Sequence, residues 1–335
     1  KLFDVFLWQY DRMNLTEFNQ SDRCEHFSCP ERSGSPAVYI LLYACSAAVV
    51  LLTVCGNMLV IISVLHFKQL HTPTNMLVLS LAVSDFLVGA LIMLPTLIWM
   101  IESCWIFGRD FCISFWFICY ILAISSIYNI ALIAVDRYLA LSNPFLYMNR
   151  VSVRITGIVI VCVWCVVMAY SSLLLYHNGN FTNTVMCPGE CSLFLNKVSY
   201  VIDLIFSFIF PLSVIIILYT RVFVIAKKHA TAIRELNNHT RPKTQKITSH
   251  SMKSERKAAK VLGILVSVFL MCLLPYFIYS LLDRNISETC DFVFLNSTIY
   301  PVIYALFYSW FRRCIKLIIT LRIFQTDSAL INILS

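Results

Sequence analysis

Charge is what this sequence has least of. Of 335 residues only 13% are charged, against 59% hydrophobic and 14% aromatic, a balance far from that of a water-soluble domain. Glycine is scarce too, at 8 residues, and forms no phosphate-cradling loop. No nucleophile stands beside a base and no cluster of side chains has metal-ligand spacing, so catalysis is not indicated. His66, His71, His177, His229, His239 and His250 fall in loops or at helix ends, where solvation accounts for them. The chain has no internal repeats and no pair of broken helices of the kind transporters use, which disfavours a transporter or channel.

Long apolar runs are what the chain does have. A helix needs about 20 apolar residues to cross a hydrocarbon core about 30 Å thick, and seven stretches qualify. They run from Ala37 to Val64, Asn75 to Ile101, Cys112 to Leu141, Ile155 to Tyr176, Val198 to Val224, Ala258 to Leu282 and Asp291 to Trp310. The predicted fold is an all-α membrane protein, a seven-transmembrane-helix bundle with a short amphipathic helix after segment seven. Residues 1–36 form an extracellular amino-terminal segment, residues 37–310 the seven-transmembrane domain, and residues 311–335 a cytoplasmic tail carrying the amphipathic helix.

Basic residues set the orientation, because Lys and Arg accumulate in short cytoplasmic loops. With the amino terminus outside, 19 of the 26 Lys and Arg lie on the cytoplasmic side and 12 of the 18 acids lie outside. Lys227, Lys228, Arg241, Lys243, Lys246, Lys253, Arg256 and Lys257 crowd the connection between segments five and six. A net charge of +8 therefore describes an inner face near anionic lipid, and no nucleic acid is needed to explain it. The expected location is the plasma membrane, multi-pass, with the first spanning segment directing insertion by itself. Sequons at Asn14, Asn19, Asn180 and Asn285 would all be exposed to glycosylation. Most of the fourteen cysteines are read as small buried hydrophobes. Cys24, Cys29, Cys112, Cys187 and Cys191 lie outside, where two disulfides are expected.

The residues resemble rhodopsin-like G-protein-coupled receptors over nearly the whole chain. The marks are "GNMLV" with Asn57, "LAVSD" with Asp85, Cys112 opening segment three, "DRY" at Asp136, Arg137 and Tyr138, Trp164, Pro211 with Tyr219, and Pro275. Within that group "HFKQLHTPTN", "ESCWIFG", "SERKAAKVLGI" and "LFYSWFRRCIKLI" are similar to trace amine-associated receptors, the fish-type branches more than the mammalian. The resemblance implies an olfactory receptor for small amines that couples to a stimulatory heterotrimeric G protein and raises cAMP. It also implies disulfides from Cys112 to Cys191 and from Cys29 to Cys187. Three features depart from the family pattern. Cys119 stands where segment three usually carries an aspartate. Leu273 and Tyr300 replace the usual Trp of segment six and Asn of segment seven. The connection from Asp283 to Asn296 is short.

Asp203 interrupts the apolar run "YVIDLIFSFIFP". At a rise of 1.5 Å per residue it lies ~12 Å outward of Pro211, in the outer half of the membrane. A charge there costs about 2.5 to 3.5 kcal/mol on insertion scales and usually marks function. It is read as the counter-ion of an ammonium, replacing the anchor missing at Cys119. Fish-type relatives place an acid at this position; here it occurs alone, which suggests a reversed ligand orientation and argues against a diamine. Helical period puts Ser207 one turn below on the same face. Tyr276 and Phe277 are expected to offer ring faces to the cation, with Cys119, Tyr120 and Ala123 on the opposite wall.

Family resemblance groups Asp85 with Asn57, Ser126, Asn296 and Ser297, oxygen-bearing residues suited to an allosteric sodium ion; no other cofactor is expected. Asp136, Arg137 and Tyr138, with Tyr219, Glu255 and Tyr304, form the expected G-protein switch, in which release of Arg137 opens a groove for a partner helix. The short sixth-to-seventh connection predicts that the last spanning helix begins no earlier than Cys290, with "RNISETCD" unwound at the pocket mouth. The alternatives are a receptor for a non-amine ligand, in which Asp203 is protonated, and a decayed, non-signalling receptor.

Overall fold

The computed structural model describes residue 29 and residues 34–178, 187, 189–191, 195–239, 263–264, 266–272, 290–325, 328–331 and 333. Among them there is no strand, and five helices are long and apolar enough to cross a membrane. These are α1 (Pro36–His66), α2 (Pro73–Glu102), α3 (Arg109–Ser142), α5 (Val153–His177) and α6, which begins at Lys197 and ends at His239. A short helix α4 (Pro144–Arg150) follows α3, α7 (Cys290–Phe307) forms the seventh segment, and α8 (Ser309–Ile319) follows it. Residues 263–264 and 266–272 of the sixth segment are helical.

Most helix starts can be read from their caps. Thr72, Asn143, Ser152 and Asn196 each accept a hydrogen bond from the backbone N–H three residues on, and Pro36, Pro73 and Pro144 occupy the first helical turn, where no N–H is needed. α3 runs through the middle and packs on α2, α5 and α6, while α1 packs on α2 and α7. A polar thread ties three of them together: Trp164 Nε1 donates to Ser80 Oγ at 3.0 Å, and Ser80 Oγ donates to Asn129 Oδ1 at 2.9 Å. Large apolar side chains such as Ile40, Val161 and Phe223 stay exposed along the outer faces, as hydrocarbon surroundings require.

Two helices are not regular. α2 widens into a turn bonded i to i−5 over Val88–Met93, and α6 does the same over Leu204–Ile209. Each wide turn stands just ahead of a proline, Pro95 and Pro211. A proline inside a helix lacks the N–H for the carbonyl four residues back and clashes with it, and one extra residue in the turn accommodates both defects. In α6 the Phe210 N–H bonds the Ile205 carbonyl, and Tyr128 of α3 donates its hydroxyl to the Phe206 carbonyl at 2.9 Å.

The seventh segment differs from the predicted span at its inner end. The helix stops at Phe307, Tyr308 is extended with ψ 111°, and Trp310 already belongs to α8. Arg312 Nη1 closes the joint by donating to the Ala305 and Leu306 carbonyls at 3.1 and 2.8 Å. α8 is amphipathic as predicted, with Phe311 and Cys314 buried and Arg312 and Arg313 on the other face. Beyond it the chain folds back on the first intracellular loop: Ile333 is buried and its N–H bonds Gln69 Oε1 at 3.1 Å, while Ser328 Oγ lies 2.9 Å from His66 Nε2. The described part of α7 opens at Cys290, so Cys290 and Asp291, the last two residues of the run expected to be unwound, are helical; the "RNISET" before them lies outside the described residues.

α1 and α7 touch through a glycine. A Cβ added at Gly56 would stand 2.6 Å from Pro301 Cβ, whereas one at Gly157 would meet nothing within 4 Å. Gly56→Val is therefore expected to cost about 1–3 kcal/mol through overpacking and to lower the melting temperature of purified receptor in nanodiscs, while Gly157→Ala leaves it unchanged or raises it.

Candidate functional site

Asp203 sits on the last turn of Lys197–Asp203, directly before the wide turn of α6. Three hydroxyls from three helices donate to its carboxylate. Ser207 of α6 bonds Oδ1 at 2.7 Å, Tyr170 of α5 bonds Oδ1 at 3.0 Å, and Tyr120 of α3 bonds Oδ2 at 3.3 Å. Ser207 thus turns to the carboxylate instead of its own helix backbone, the alternative open to a serine in a membrane helix. Each bond needs the other two helices in register, so the acid is where α3, α5 and α6 meet. The partners of Asp203 among the described residues are uncharged, and all of them donate to it.

Tyr170 was not among the predicted site residues. Its ring lies against Phe206, with centroids 4.1 Å apart, and Phe206 faces Tyr128 at 5.5 Å. A phenol in the otherwise apolar "VVMAYSSLLL" run was the available signal, because its hydroxyl needs a partner when buried. Of the predicted opposite wall, Tyr120 reaches the acid and Cys119 is buried beside it on α3. Ala123 lies deeper. It lines a cavity of about 10 Å³ with Leu122, Ser126, Phe269, Asn296 and Ser297. Tyr276, Phe277 and Leu273 lie outside the described residues, as do Asn14, Asn19, Asn180 and Asn285.

Above the site, the outer loops are stitched together. Cys112 is joined to Cys191, and the Trp105 N–H bonds the Gly189 carbonyl at 2.8 Å. Trp105 is buried among Trp99, Phe107, Phe111 and Phe115. The expected bridge from Cys29 to Cys187 is not formed. Cys29 pairs with Cys104, their Cα atoms 5.4 Å apart, and Cys187 is disulfide-bonded elsewhere. Ser103, in the left-handed conformation at φ 51°, ends α2 and leaves Cys104 in the loop, an extracellular cysteine not among the five expected to pair. Cys24 lies outside the described residues.

Deeper in the bundle Asp85 is fully buried and accepts one bond, from Ser297 Oγ at 2.8 Å. Asn57 Nδ2 donates to the Thr53 and Ser297 carbonyls, both at 2.9 Å. Asp85 Oδ2, both polar atoms of the Asn296 side chain and the Tyr300 hydroxyl are buried without a protein partner among the described residues. Ser126, Asn296 and Ser297 line one cavity. Unspent oxygens in the same cluster as a carboxylate are donors a hard cation takes, so the residue types fit a sodium ion, while Asp85 itself does not line that cavity. Cys162 and Cys165 stand in C-x-x-C spacing on α5, but both are free and exposed on its outer face. No group of three metal-ligating side chains occurs among the described residues.

At the cytoplasmic end Asp136 and Arg137 are buried and paired at 2.6 Å. Asp136 also accepts from Thr74 at 2.8 Å and from Tyr147 of α4 at 2.7 Å, and Arg137 contacts Thr74. Burial, followed by the hydrogen bond to Asp136, pushes the Tyr147 phenol up to about 12, so the phenol stays a donor at any physiological pH. A cavity of about 130 Å³ opens beside Arg137, lined by Thr74, Asn75, Val78, Tyr304, Tyr308 and Trp310. The Tyr219 and Tyr304 hydroxyls are buried without partners among the described residues. Tyr138 is half-buried on the next position of α3. Glu255 lies outside the described residues. Thr74 and Tyr147 were not predicted; both come from segments whose proximity to α3 only the folded chain reveals.

Comparison with known proteins agrees with this architecture. The family model of the seven-transmembrane receptors of the rhodopsin family matches residues 56–314. Trace amine-associated receptor 13c of Danio rerio is 37% identical, over 96% of this chain and 98% of its own. Trace amine-associated receptor 6 of Rattus norvegicus is 39% identical over 92% and 93%, and trace amine-associated receptor 1 of Macaca mulatta 35% identical over 91% and 95%. The chain belongs to the rhodopsin family of seven-transmembrane receptors and, within it, to the trace amine-associated receptors. This is a receptor family and not an enzymatic one.

The loop pairing makes a direct expectation. Non-reducing peptide mapping of the purified chain should recover Cys29 linked to Cys104 and Cys112 linked to Cys191. A peptide joining Cys29 to Cys187 would contradict the assignment.

Proposed function

We propose that this receptor binds small protonated amines through Asp203 and couples to a stimulatory G protein, raising cAMP. The observation that carries the proposal is the Asp203 carboxylate in the outer half of α6, held by three neutral hydroxyls from three helices and by no cation among the described residues. A charge pair at 4 Å is worth about 1 kcal/mol in water and about 4 at an effective dielectric near 20, so placing the acid inside the bundle makes it selective for a cation. Three hydroxyl donors suit an ionised carboxylate acting as acceptor. The relatives are named for trace amines, which supports the same class of ligand.

Coupling is supported by the inner end. The Asp136–Arg137 pair is closed by Thr74 and Tyr147, and the cavity beside Arg137 is where a partner helix would enter when that pair opens. A sodium ion at Asp85, Ser126 and Asn296 would favour the closed arrangement by neutralising Asp85 there. Residues of α2, α3 and α7 would hold it.

Asp203→Asn keeps shape and removes charge. In cells carrying a cAMP reporter it should lower amine potency at least about tenfold, since about 1.4 kcal/mol corresponds to a factor of ten. Unchanged potency at equal surface expression would remove the counter-ion assignment.

A further inference from the structure

We infer that the Asp203 carboxylate has room for one ligand N–H, so that the site favours tertiary amines over primary ones and Tyr170 is a specificity-determining residue; this rests on Asp203 being the counter-ion. An ionised carboxylate offers about four lone-pair directions. On Oδ1 both are taken, by Ser207 at 2.7 Å and Tyr170 at 3.0 Å, and on Oδ2 one is taken, by Tyr120 at 3.3 Å. A single direction remains, on Oδ2.

A primary ammonium brings three N–H donors. After the first, the others are left, among the described partners, to the hydroxyl oxygens of Tyr120, Tyr170 and Ser207, weaker acceptors than a carboxylate. A tertiary ammonium brings one donor and three carbon substituents. The surroundings suit those substituents, because the Tyr170, Phe206 and Tyr128 rings form a continuous aromatic surface, with centroids 4.1 and 5.5 Å apart in turn. Alkylated ammonium carbons are attracted to ring faces, where no acceptor is needed. Tyr170 cannot easily yield its place, since swinging its hydroxyl away would unstack the ring from Phe206. Tyr128 is already committed, its hydroxyl donating to the Phe206 carbonyl at 2.9 Å. A site that has spent its acceptors discriminates against extra donors more sharply than one that merely lacks space.

The test is binding of matched amines to the purified full chain in nanodiscs, with Kd from titration calorimetry at constant pH and ionic strength. The probes are phenethylamine, N-methylphenethylamine and N,N-dimethylphenethylamine, with cyclohexylamine and N,N-dimethylcyclohexylamine as a second set. The wild-type chain should bind the tertiary member of each set at least about fivefold more tightly than the primary. Tyr170→Phe and Ser207→Ala each free a lone pair on Oδ1 and should shrink that ratio at least about threefold by improving the primary amine; either variant alone suffices if the other fails to fold. Primary amines bound as tightly as tertiary ones by the wild type, or a ratio unmoved in the folded variants, would overturn the inference. Asp203→Asn separates the two claims. If it weakens every amine while the Tyr170 and Ser207 variants leave the ratio alone, only the selectivity inference falls. If it changes nothing, or no amine of either set binds the wild type, the counter-ion assignment falls too.

Discussion

Hydrocarbon on the outside leaves oxygen and nitrogen only the interior of the bundle and its two mouths, and the arrangement of helices follows from where those atoms find each other. Trp164, Ser80 and Asn129 link α5, α2 and α3 through one run of hydrogen bonds. Asn57 reaches the Ser297 carbonyl across from α1 to α7. Asp203 gathers hydroxyls from α3, α5 and α6. With no hydrophobic drive between helices already in lipid, such bonds and close backbone approaches such as Gly56 on Pro301 set which faces meet.

The wide turn of α6 links this packing to the site. Pro211 forces a defect in the ladder above it, and the extra residue rotates the outer part of the helix relative to the inner part. Asp203 lies just outside that defect and Ser207 within it. Because Tyr128 satisfies the Phe206 carbonyl, the defect stays inside the bundle rather than facing lipid. The Asp203 carboxylate is thus held by the same helix, α3, that repairs the turn beneath it.

Much of this was legible before folding. The five long spans and the amphipathic α8 follow from apolar runs and from charge, and Asp203 announced itself as an acid where acids are expensive. Ser207 followed from helical period, which survives one turn. Tyr170 did not follow, because a period fixes which residues share a face of one helix but not which neighbouring helix that face meets. Thr74 and Tyr147 escaped for the same reason. Cys104 escaped although it lies beyond the predicted end of segment two at Ile101, because a cysteine's position in a loop does not say which cysteine it faces. The break at Tyr308 was hidden by aromatic residues, which fit a helix as well as an extended joint.

Asp136, Asp85 and Asp203 lie on these helices at three depths and differ in their partners. Asp136 has a cation beside it in sequence, Arg137, plus two hydroxyls, so its charge is already balanced and can be exchanged only by moving Arg137. Asp85 is fully buried and accepts one hydroxyl, from Ser297. Asp203 is partly buried and, among the described residues, balanced by neutral donors only. Nothing among its described partners has to be expelled as a charge for a cation to pair with it. With Cys119 on α3 where an acid is usual in the family, Asp203 stands on α6 next to the helix defect, so a pull on its carboxylate would be felt below.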